Sequence, residues 1–121
     1  MSPRDIGRIA AAGRVLVGAA LTAVPASGAG WIGEESGKSP VTVYSRALGI
    51  RDAAIGVGVL TAADSEKLRP WIIAGLAADI VDFAATLEAR DDLPDLGRRV
   101  VPFIAGGSAL LGAWLLTQLD S

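Results

Sequence analysis

The segment from Val100 to Leu119 runs for 20 residues without a charged side chain. At ~1.5 Å per residue, a helix of that length crosses the ~30 Å of hydrocarbon in a bilayer. A helix on the surface of a soluble bundle shows a polar face, and this segment is apolar on all of its faces. A span of this kind sets the terms for the rest of the chain, because inside a bilayer each helix must satisfy its own backbone polar groups.

Three more apolar runs precede it. The expected spans are 6–24, interrupted by Arg14; 45–63, with Arg46, Arg51 and Asp52 in its first half; 70–87, with Asp79 and Asp82 inside; and 100–119. At 121 residues the chain is a single domain by size. The expectation is an all-α, four-helix transmembrane bundle over 1–121. Composition agrees: 51% of residues are hydrophobic, yet the aromatics are only Trp31, Tyr44, Trp71, Phe83, Phe103 and Trp114. Alanine and glycine take the place of bulky side chains, as they do where membrane helices approach closely.

The connections differ in kind. Residues 25–40 form a Gly/Ser/Pro loop in which Trp31 is placed to rest at an interface. Residues 64–69 read as a short polar turn, which makes helices 2 and 3 an antiparallel hairpin. Residues 88–99 are charged; Pro94 is suited to the first position of a helix, and Pro102 either kinks helix 4 or sits in its first turn. The first 29 residues also have the shape of a signal peptide, with small residues before Gly30. A retained first helix is the favoured reading, because the charges of helices 2 and 3 need partners.

Those charges are expensive. The seven large apolar residues of helix 3 contribute ~2–4 kcal/mol to insertion, against ~5–7 kcal/mol for two central aspartates. Depth offers a remedy. If helix 2 enters near Ser45 and helix 3 leaves near Leu87, Arg51 and Asp52 lie ~9–10 Å below the surface, Asp82 ~7 Å and Asp79 ~12 Å. The two sets are level. Asp79 and Asp82 share a helix face at i,i+3, within reach of a bidentate contact from Arg51 or Arg46. Arg14, on a face with Gly18 and Thr22, reaches the same cluster. The six groups Arg14, Arg46, Arg51, Asp52, Asp79 and Asp82 sum to zero.

Much chemistry is excluded. The chain has neither cysteine nor histidine, which removes disulfides, thiolate nucleophiles, Cys/His metal sites and Ser-His triads. The acidic residues fit no calcium-loop spacing, and the net charge of −2 offers no footprint for nucleic acid. Tyr44 and Ser45 have no accompanying base. The expectation is therefore no catalytic residue, no metal and no cofactor. Ala54, Gly58 and Ala62, and Ser108 with Gly112, form small-residue faces of the kind that pack membrane helices.

Orientation is unresolved, since the two ends of the bundle carry five and six Lys/Arg. An antiparallel homodimer is one way to satisfy that balance. Nine arginines against two lysines, with no asparagine, fit a GC-rich bacterial genome and a multi-pass protein of the inner membrane.

R-A-L-G-I-R-D-A-A-I-G at 46–56, followed by A-G-L-A-A-D-I-V-D at 74–82, resembles the small bacterial four-helix membrane proteins grouped as domain of unknown function 4267. Their shared pattern is a G-x-R-D-x-x-x-G segment opening helix 2 and an aspartate midway through helix 3. The resemblance extends over residues 6 to about 116 and implies importance for Gly49, Arg51, Asp52, Gly56 and Asp79; Asp82 and the 88–99 loop lie outside it. It implies architecture and no activity. Two roles remain. One is a membrane interaction or accessory subunit, bound to itself or to a larger membrane protein, with the charge cluster as a structural pairing. The alternative is a small transporter or proton-coupled carrier, with Arg46 and Arg51 attracting an anion and Asp79 or Asp82 titrating.

Overall fold

The computed structural model describes residues 1–119 and contains four long helices and no strand among them. α1 spans Pro3–Ala23, α2 Val41–Thr61, α3 Ser65–Glu88 and α4 Asp95–Leu119. α1, α3 and α4 are each long and apolar enough to cross a membrane. α2 matches α1 in length at 21 residues, but Arg46, Arg51 and Asp52 fall within it.

Every helix begins earlier than its apolar run, for local reasons. Ser2 caps α1 by accepting from the Asp5 N–H at 3.2 Å, while the Asp5 carboxylate accepts from the Ser2 N–H at 3.2 Å. This reciprocal box, with Pro3 in the first turn, starts the helix before Ile6. Asp64 caps α3 by accepting from the Lys67 N–H at 2.8 Å. The polar stretch expected as a turn at 64–69 is therefore mostly the first turn of α3, which leaves residues 62–64 as the link and Pro70 inside the helix. α2 begins at Val41, right after Pro40, rather than at Ser45. α4 begins after Pro94, whose carbonyl accepts the first helical bond from Arg98 N–H at 2.9 Å. Pro102 thus lies well inside α4, not in its first turn. The 25–40 connection carries two short 3₁₀ turns, Pro25–Gly28 and Glu34–Gly37.

Packing divides the bundle into two pairs. α1 lies along α2 and α3 along α4, whereas α2 shares far less surface with α3, and α1 little with α4. The α1/α2 seam is closed by small residues. A Cβ on Gly49 would stand 2.7 Å from the Gly18 carbonyl oxygen and 2.6 Å from Thr22 Oγ1, and one on Gly56 would stand 2.7 Å from the Ala11 carbonyl oxygen. Those carbonyls belong to backbone and cannot step aside. The apolar core sits at the end where α2 hands over to α3, around Ala11, Val59, Leu68, Ile72 and Leu115. Elsewhere the helices turn large apolar side chains outward, Phe103 and Leu110 of α4 among them at 82% and 76% exposed.

Candidate functional site

At mid-height three helices are joined by five charged side chains. Arg14 of α1 donates from Nη1 to Asp52 Oδ1 of α2 at 3.1 Å and from Nη2 to Asp79 Oδ2 of α3 at 2.6 Å. Arg51 of α2 makes a two-pronged pair with Asp82 of α3, Nη1 to Oδ1 at 3.1 Å and Nη2 to Oδ2 at 2.6 Å. Its Nη2 also lies 3.3 Å from Asp52 Oδ1. The result is a continuous chain, Asp79–Arg14–Asp52–Arg51–Asp82. Planar guanidinium forks suit this role, since each addresses two carboxylates at once.

The depth is greater than the apolar runs implied. Arg51 lies ten residues from either end of α2, ~15 Å along the helix. Asp79 lies nine residues from the end of α3, ~13–14 Å, and Asp82 six residues, ~9 Å. Because α2 starts four residues before Ser45, the network occupies the middle of the bundle rather than its rim.

Five of the six predicted cluster residues come together, and the sixth does not. Arg46 is exposed and forms no ion pair among the described residues. Five residues at ~100° each place it ~140° around α2 from Arg51, on another face. The neutral sum of six is thereby corrected: two arginines face three aspartates, a formal −1.

The other predicted positions are distributed. Gly49 and Gly56 face α1 across the close seam. Gly58 lies flat against the indole of Trp71 on α3, with no space for a Cβ. Gly112 faces Leu76 of α3 at ordinary contact, and Ser108 lines a cavity. Sequence reasoning placed Gly18 beside Arg14 without giving it a partner; it meets Gly49 and Ala53 backbone to backbone. Gly97, which also passed unremarked, packs against the main-chain carbonyl of Trp31 and so fixes the 25–40 connection to α4. A small-residue spacing around Arg14 was the available signal for Gly18; Gly97 has none. Gly75 lies beside the Arg14 guanidinium, where a Cβ would stand at an ordinary 3.5 Å from Nη2.

The cavity holds about 520 Å³ and lies between α1 and α4, with residues of α2 and α3 completing its walls. Its walls are mainly apolar, with Val17, Ile55, Ile104 and Leu111 among them, and Trp31 and Trp71 also contribute. Its polar wall is formed by Arg14, Asp52, Asp79 and Asp82, whereas Arg46 and Arg51 do not reach it. No family model, no curated protein and no solved structure matches this chain.

Proposed function

We propose that the chain is a four-span membrane protein that acts as an interaction or accessory subunit, with the Arg–Asp network as the clamp that holds α1, α2 and α3 together. One observation carries this reading: Arg14 alone ties three helices, with carboxylates of α2 and α3 on its two nitrogens. In a bilayer each of these charges is costly alone, and pairing makes their insertion as a group affordable. The clamp also supplies what the weak α2/α3 contact lacks. Gly58 against Trp71, Ile55 beside Gly75 and Arg51 with Asp82 follow one another in opposite chain directions, which supports α2 and α3 as an antiparallel hairpin inserted as a unit. The outward apolar faces of α3 and α4 are then available to lipid, to a second copy or to a larger membrane protein. A bacterial cell membrane is the proposed setting, in keeping with the arginine-rich composition and with the resemblance at 46–56 and 74–82.

The carrier reading is supported by a different observation, that three of the aspartates border the cavity. Asp79→Asn separates the two. For a clamp, the variant assembles poorly, because Arg14 keeps the carboxylate of α2 and loses its ion pair to α3; a carrier variant inserts and assembles normally and loses only transport. Detergent extraction followed by size-exclusion chromatography reads assembly directly. A monodisperse Asp79→Asn protein with wild-type stability would contradict the clamp.

A further inference from the structure

We infer that the cavity between α1 and α4 binds a protonated amine that carries an apolar body. The polar wall has three carboxylates and one guanidinium, and the whole network remains at −1 when Arg51 is counted. The carboxylates are not equally supplied. Both oxygens of Asp82 are taken by Arg51. Asp79 is 5% exposed, and its Oδ2 is held by Arg14 while its Oδ1 has no hydrogen-bond partner among the described residues. On Asp52 both arginines converge on Oδ1, and Oδ2 is likewise without a partner there.

These two oxygens are open to a largely apolar cavity rather than sealed in protein, and a charged acceptor facing apolar walls without a donor is costly. The occupant that removes this cost brings N–H donors and one positive charge. An ammonium group has three donors and no acceptor, which suits separate oxygens on Asp52 and Asp79. An anion would meet three carboxylates. Among the described residues no group of acidic side chains converges to hold a metal ion, because the guanidiniums stand between them. The remaining walls specify the rest of the ligand: about 520 Å³ lined largely by aliphatic side chains and two indoles suits an apolar body. This inference goes beyond the clamp, which needs no ligand.

The test uses the full chain in phosphatidylcholine nanodiscs, with empty nanodiscs as the blank, and calorimetric titration with three probes of similar shape. Saturable binding of 4-phenylbutylammonium, at least ~tenfold tighter than 4-phenylbutanol or 4-phenylbutyrate, is the expected result. Asp79→Asn removes that preference. Ser108→Leu fills the cavity from α4 without touching any of the five charges, and it reduces binding by at least ~tenfold while the thermal midpoint stays at the wild-type value. Because Ser108→Leu spares the clamp, it decides the matter even if Asp79→Asn does not assemble. Equal binding of the ammonium and the alcohol, or full ammonium binding by Ser108→Leu, would overturn the inference and leave the clamp standing.

Discussion

The α1/α2 seam and the α4 side of the bundle use the same small residues to opposite ends. Along the seam, glycines bring backbone against backbone: Gly18 meets Gly49 and Ala53, and Gly56 meets Ala11. On α4, a Cβ at Gly107 would meet nothing within 4 Å, and one at Gly112 would touch Leu76 at an ordinary 3.6 Å. The difference shows that a glycine reports on closeness only where a partner segment's backbone lies against it, as it also does for Gly97 near the start of α4. One side of the molecule is a tight seam crossed by ion pairs. The other is a looser wall around a cavity.

The sharpest way to break this contrast is at Arg14. Arg14→Met leaves Asp52 with Arg51 alone and Asp79 with no cation, so the variant loses about 3–5 kcal/mol or fails to assemble. Unfolding in mixed micelles, followed by circular dichroism, measures it. Next in size, Gly49→Val drives side-chain atoms into the Gly18 and Thr22 backbone and costs about 1–3 kcal/mol by overpacking. The same assay on Gly107→Val gives a far smaller change. Gly58→Ala displaces the Trp71 indole and shifts its fluorescence maximum, at a cost of about 1 kcal/mol or more. Smallest of all, Arg46→Gln changes stability by less than about 0.5 kcal/mol, as expected of an exposed side chain outside the network. A large effect there would show that Arg46 belongs to the cluster after all.

Much of this was legible in the residues. The charge-free run of α4 and the level placement of Arg51 with Asp82 followed from helix rise and hydropathy alone. What depth could not supply was azimuth. Counting turns from Arg51 back to Arg46 shows that the two side chains point apart, and the neutral sum of six failed on that rotation. Helix starts were misplaced for a related reason: Ser2 and Asp64 are polar and lie outside the apolar runs, yet capping is a polar function. The pairing of Asp79 with Arg14, rather than with a helix 2 arginine, depends on the close α1/α2 seam. Such contacts are set by three-dimensional packing and have no local signature. The cavity belongs to the same class, since residues of all four helices line it.

The central claim is that the Arg–Asp network is a clamp whose members are needed because of one another. A double-mutant cycle on Arg51 and Asp82 tests it most directly, by reversible unfolding of Arg51→Met, Asp82→Leu and the pair together. Arg51→Met is the worse single variant, since it leaves three carboxylates with one guanidinium; Asp82→Leu is milder, because Arg51 retains Asp52 at 3.3 Å. The clamp account predicts that the double variant recovers most of the stability lost by Arg51→Met, since apolar replacement of both partners of this partly buried pair leaves neither charge stranded. A double variant that loses the sum of both single effects would contradict it.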